Sequence, residues 1–295
     1  MTEGRTRARD SLLGLAVGDA LGESFFGMPD AVLALIAARQ LPPGPRPWTD
    51  DTQMATALVG VLEKSDGWIR EDDALAAFAD AFDIHRGYGL ATRHLLVQVR
   101  RGADGPSLVR EAFGGAGSWG NGAAMRAAPV GAWHAEDLDL VAHLSRVQAS
   151  STHGHPDAAE GAVAVAVATG LACTSVVAPS REQLLSTAAG YCRPGAVRDV
   201  LGVAADLGAV APTTAAAELG SGYEVSAVDT VPFALWCAAG NLDDFVETFW
   251  ATVSGLGDRD TTCAIACSVV AARVGIAGIP DDWIARVEPV DWSAT

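Results

Sequence analysis

A chain of 295 residues with 49% hydrophobic and 19% charged side chains can bury a large core and is too apolar to stay disordered. Its 36 acidic against 20 basic residues give a net charge of -16, which excludes an electrostatic grip on nucleic acid or an anionic membrane but not one anionic ligand held by local donors. Five cysteines, an odd number with no C-x-x-C pair, argue against a disulfide framework and for a reducing, cytoplasmic setting.

In chain order, Arg5 to Phe25 reads as a helix with Leu12, Leu15 and Ala16 on its apolar stripe. Asp10, Asp19 and Glu23 interrupt its apolar stretch, so it is no signal peptide. In G-D-A-L-G-E, Asp19 and Glu23 fall one turn apart on one face, and the simple reading is a pair of solvated acids. The proline-rich run 41–47 is a stiff loop. It leads into W-T-D-D-T-Q and a helix over 51–63. Further helices are predicted over 72–83, 106–113, 121–133, 137–149, 155–173, 181–190, 224–239, 241–253 and 260–277, where Ala-rich, Leu-containing segments dominate. Alternating β-branched runs are scarce, the Ala-Val alternation at 162–167 being the main exception. Residues 161–178 carry no charge and are long enough to span a membrane. They lack a basic flank and a second span, and read as a buried central helix. With no internal repeat and no linker, the economical fold is one compact, all-α orthogonal helical domain over 1–295.

Two junctions carry the chemistry. Thr49, Asp50 and Asp51 stand at one helix start, and Asp258, Asp260 and Thr261 stand at another in G-D-R-D-T. Each set reads as a capping device, since hydroxyls and carboxylates satisfy free N–H groups and complement the helix dipole. Together they also read as an oxygen-rich cation site suited to Mg²⁺ or Mn²⁺ rather than Zn²⁺. Spacing alone leaves both readings open.

The stretch G-G-A-G-S-W-G-N-G at 114–122 contains a G-x-G-x-x-G match, but a helical pattern precedes it where a dinucleotide fold needs a strand. It still suits a backbone cradle for phosphate at the start of the next helix. In T-H-G-H-P, His153 and His155 read as satisfied loop residues or as ligands, and Cys263 and Cys267 as small buried helix residues.

In this order, L-L-G-L-A-V-G-D-A-L-G, W-T-D-D-T-Q-M-A, G-N-G-A-A-M-R-A-A-P-V-G, T-H-G-H-P and G-D-R-D-T-T resemble the ADP-ribosylglycohydrolase family over residues 8–278. The resemblance implies an all-α fold with a central cleft holding two Mg²⁺ or Mn²⁺ ions. It implies Thr49, Asp50 and Asp51 as one ligand group and Asp258, Asp260 and Thr261 as the other. It sets Gly117, Ser118, Gly120, Asn121, Gly122 and Met125 near the pyrophosphate of ADP-ribose and His153 near its ribose or adenosine. The substrate it implies is an ADP-ribosylated protein or a small-molecule ADP-ribose adduct, with no nucleic acid or membrane partner. The metals would lower the pKa of a bound water, with Asp51 and Glu23 as catalytic carboxylates.

Two positions depart from the family pattern. Phe26 stands where many members place an acid, with Glu23 the nearest carboxylate, and Arg259 replaces the usual threonine between the last two aspartates. Two rival readings are a non-enzymatic relative that binds ADP-ribose and a metal phosphohydrolase that attacks phosphorus.

Overall fold

The computed structural model describes residues 2–291. Among them no β-strand forms; two isolated bridges, Arg46 with Val287 and Gly120 with Ser226, are the only strand-like pairings. The predicted all-α architecture is what the chain adopts.

The central element is the Pro156–Thr174 helix. It is long and apolar enough to cross a membrane by length and composition, yet most of it lies inside the protein. The Ala-Val alternation that looked strand-like is buried here on all sides. That follows from a helix with neighbours all round, where no polar face is needed.

The first helix, Glu3–Glu23, lies against the last long helix, Arg259–Val274. Gly14, Gly18 and Gly22 make the contact, four residues apart and so on one face. A Cβ on Gly18 would stand 2.4 Å from the carbonyl oxygen of Cys263, and one on Gly22 would stand 2.3 Å from that of Arg259. Only glycine lets the two backbones approach this closely. The crossing brings the end of the first helix, with Asp19 and Glu23, to the start of the last one, with Asp258 and Asp260.

The segment expected to be one helix over 121–133 is instead a 3₁₀ turn, Asn121–Ala123, and a separate helix, Ala128–Trp133. Asn121 explains the break. Its main-chain N–H donates to Val225 O at 3.2 Å and its side chain is engaged elsewhere, while Pro129 starts the new helix. Helices Pro29–Ala38, Leu90–Arg100, Ala196–Asp206 and Pro212–Leu219 also form where the sequence analysis singled out none. Pro29–Ala38 buries only Val32, so no polar face marks its period. Ala196–Asp206 does carry a helical stripe in Val197, Leu201 and Ala204.

All five cysteines are free thiols, and Cys263 and Cys267 are buried side by side in the core.

Candidate functional site

The Asp50–Lys64 helix is capped from two directions. Thr49 is its N-cap, and its Oγ1 accepts from the Asp51 N–H at 3.3 Å. The stronger cap comes from the first helix. Asp19 is fully buried and accepts from the Thr49 N–H at 2.9 Å, the Thr52 N–H at 3.1 Å and the Thr52 hydroxyl at 2.5 Å. Asp19 is therefore not the solvated acid its position suggested. A carboxylate over a helix N-terminus satisfies free donors and meets the positive end of the dipole. Asp19 thereby takes two of the main-chain N–H groups at this helix start.

Asp51 and Thr261 join the two aspartate-threonine groups. Asp51 Oδ2 accepts from Thr49 Oγ1 at 3.1 Å and from Thr261 Oγ1 at 3.4 Å, across 210 positions of sequence. Asp258 Oδ2 accepts from Asn121 Nδ2 at 2.7 Å, and the same amide donates to Thr230 Oγ1 at 3.0 Å. Asn121 thus ties the glycine loop to the second aspartate group. Thr230 has no sequence signal of its own, since only the fold brings it beneath Asn121.

The acids of this cluster are buried close to one another, and each is raised in pKa. Burial, then the charge of Asp19, pushes Asp50 up to about 7. Burial, then the charge of Asp260, pushes Asp258 up to about 7. Asp260 is raised to about 6 by burial and then by Asp19, and Asp51 is raised well above the usual carboxylate range by burial and then by Asp19 and Asp260. Asp51 Oδ1 and Asp260 Oδ1 are buried with no hydrogen-bond partner. Buried carboxylate oxygens are rarely left this way. A divalent cation would satisfy both, and the all-oxygen set of Thr49, Asp50, Asp51, Asp258, Asp260 and Thr261 has the hardness Mg²⁺ or Mn²⁺ requires. Among the described residues, no three carboxylate, imidazole or thiolate groups converge closely enough to cage an ion as they now stand.

Glu23 ends the first helix and is exposed. Its carboxyl is raised in pKa by partial desolvation and then by the charge of Asp258, which sets it on the cluster side. Phe26 is exposed, and Arg259 covers its ring, with the guanidinium carbon 4.8 Å from the ring centre. Arg259 Nη1 donates to Phe25 O at 3.1 Å. The two positions that depart from the family pattern therefore touch each other.

The glycine loop packs on the histidine loop. A Cβ on Gly117 (φ +75°) would fall 2.4 Å from the main chain of Gly154, and the His155 N–H donates to Ser118 O at 3.3 Å. Gly120 and Gly122 face the His153 ring. Met125 is buried in the core beside Gly122. His155 caps the Pro156–Thr174 helix, its Nδ1 accepting from the Asp157 N–H at 3.1 Å. Phe113 and Trp119, not singled out from sequence, stand exposed on this loop with ring centres 4.9 Å apart. Two aromatic residues six apart around a glycine run were the available signal. The helix Gly105–Glu111 precedes the loop, so no dinucleotide fold is present there. A groove of 730 Å³ lies elsewhere, between Trp48, Lys64 and Asp80.

A family model described as ADP-ribosylglycohydrolase matches residues 1–294. The chain is 27% identical to the ADP-ribosylarginine hydrolase Tri1 of Pseudomonas putida, over 97% of this chain and 75% of that protein. It is 28% identical to the human ADP-ribosylhydrolase ARH3, over 94% of this chain and 88% of that one. A solved structure titled ADP-ribosylglycohydrolase-related protein complex superimposes with a TM-score of 0.66 at 27% identity, covering 98% of this chain and 94% of that chain. With these likenesses joined to the all-α fold and its paired aspartate groups, the chain belongs to the ADP-ribosylglycohydrolase family.

Proposed function

We propose that the protein is a metal-dependent hydrolase that cleaves the glycosidic bond between ADP-ribose and an acceptor, on a protein side chain or a small molecule. The observation that carries this reading is the Thr261–Asp51 link between two aspartate-rich helix starts, with two buried carboxylate oxygens left unpaired, in a chain of this family. Thr49, Asp50, Asp51, Asp258, Asp260 and Thr261 would hold the Mg²⁺ or Mn²⁺ ions. When bound, such ions orient a ribose diol and make a coordinated water acidic enough to yield a nucleophile near neutral pH.

The chain's own residues do the rest. Asn121 holds Asp258 in register and fixes the glycine loop. Gly117, Ser118, Gly120 and Gly122 keep that loop low enough for a pyrophosphate to lie along it. The exposed Phe113 and Trp119 rings offer a planar base a face to stack on. Glu23, with its raised pKa, is the carboxyl placed to protonate the leaving group as the anomeric bond breaks. Asp51 serves as both metal ligand and catalytic carboxylate.

Incubation with arginine-linked and serine-linked ADP-ribosyl peptides, with and without Mg²⁺, tests the proposal. Free ADP-ribose released only with metal supports it. AMP as the product assigns the site to phosphoryl transfer instead, and no product with any adduct makes the protein a binding relative.

A further inference from the structure

Arg126 is fully buried, and among the described residues no carboxylate forms an ion pair with it. Its guanidinium lies 4.2 Å from the centre of the Phe78 ring. Nε donates to Gln148 Oε1 at 2.7 Å, and Nη2 donates to Gln148 O at 3.0 Å and to Thr152 Oγ1 at 2.8 Å. Thr152 Oγ1 in turn lies 2.7 Å from His153 Nδ1.

Donor accounting settles the direction of that last bond. A guanidinium has only donors, so the threonine oxygen must accept from Arg126. The hydroxyl then has one proton left to give. Among the described residues, His153 Nδ1 is the acceptor the structure offers it. If Nδ1 carried a proton instead, a buried hydroxyl hydrogen would go unpaired, and a ring N–H would be directed toward a cation. Nδ1 is therefore the bare nitrogen, and the ring proton sits on Nε2. Burial, then the charge of Arg126, also drives the ring far below its usual pKa, to about 3, so it stays neutral.

His153 is 4% exposed, and its Nε2 faces the glycine loop with no hydrogen-bond partner among the described residues. A Cβ on Gly122 would stand 3.2 Å from it and one on Gly120 would stand 3.5 Å from it.

We propose that Arg126 and Thr152 are positioning residues that lock His153 in the Nε2–H tautomer, making it a neutral hydrogen-bond donor to an oxygen of the ligand seated in the glycine loop. This rests on the proposed function only for the ligand's identity, since the tautomer follows from the protein alone. The M-R of G-N-G-A-A-M-R and the T-H of T-H-G-H-P thereby become one device.

The test joins a spectroscopic and a binding measurement. Long-range proton–nitrogen correlation on ¹⁵N-histidine-labelled protein at pH 7, with His153 assigned by its loss in His153→Gln, should show an Nε2–H ring. An Nδ1–H ring or a doubly protonated one overturns the proposal. Thr152→Val should remove the lock and weaken ADP-ribose binding, measured by calorimetry with Mg²⁺ present, by about threefold to tenfold. Thr152→Ser, which keeps the hydroxyl, should restore both signature and affinity. Wild-type signature and affinity in Thr152→Val overturn the relay. Adenosine, which lacks the pyrophosphate, serves as a second ligand: a loss confined to ADP-ribose assigns the oxygen to the pyrophosphate side, and an equal loss assigns it to the adenosine ribose. A wild-type protein that binds ADP-ribose but hydrolyses no adduct overturns the proposed reaction and leaves the relay supported.

Discussion

Replacing Asp258 by Asn removes one charge from a buried cluster of like-charged carboxylates. Turnover should vanish, while the metal-free protein should melt higher than wild type because repulsion is relieved. Asp50→Asn should behave alike. The same physics fixes a pH dependence. An unfolded aspartate titrates near 4, whereas Asp50, Asp258 and Asp260 are raised to about 7, 7 and 6 in the fold. Across that window the native state holds protons the unfolded chain has released. The cluster's contribution to stability is thus greatest below about pH 4 and is lost as pH rises toward 7. In chelator, the melting temperature of wild type should fall between pH 5 and 7.5, and Asp258→Asn should flatten the fall; a rise in wild type would contradict the assignment. Glu23→Gln should lower kcat by roughly 10²–10⁴-fold with little change in metal affinity. Arg259→Thr should leave metal stoichiometry and affinity unchanged in a calorimetric titration, because the guanidinium is turned onto Phe25 O and the Phe26 ring. At this scale the paired aspartates were legible as unusual chemistry at helix starts, whereas Asn121 entered only through the family resemblance. Asp19 was not, because its partners Thr49 and Thr52 lie 30 and 33 positions away and only the fold makes it a cap.

Between elements, the glycine face of Glu3–Glu23 sets where the last aspartate group stands. Gly22→Ala would press a methyl group against Arg259 O and the Cα of Asp260, whereas Gly14→Ala would press one against Ala271, far along the same helix. Both changes should cost about 1–3 kcal/mol by overpacking. Only Gly22→Ala should also weaken Mg²⁺ binding, which separates placement of the site from stability of the crossing. Metal titration beside thermal melts of the two variants checks this. The sequence analysis read only the Leu12, Leu15 and Ala16 stripe of this helix and not its glycines at 14, 18 and 22, and a one-sided row of glycines does not name the helix it packs on. The broken segment after Asn121 shows a related limit. Its composition favours helix throughout, and the long-range bonds of Asn121 to Val225, Thr230 and Asp258 override that local preference.

Over the whole molecule, a ligand that binds only the folded chain should raise its melting temperature by mass action. Millimolar Mg²⁺ or Mn²⁺ should therefore stabilise chelator-treated protein, and no shift for either ion would remove the metal from the proposal. The helical class and the buried nature of Pro156–Thr174 followed from composition and charge. The helix at 196–206 was missed although Val197, Leu201 and Ala204 mark its buried stripe, and the one at 212–219 is eight residues long and buries only Ala215 and Leu219. The lengthwise contact of Glu3–Glu23 with Arg259–Val274 also bears on how the protein is made. A ribosome delivers the first helix long before its partner exists. Until the last helix emerges, the glycine face has nothing to lie against, Asp51 has no Thr261, and Asn121 has no Asp258. Closing so distant a contact is slow and leaves apolar surface open in the meantime. A nascent chain that stops short of residue 258 therefore cannot hold half a working site. Activity should appear as a single late event in synthesis.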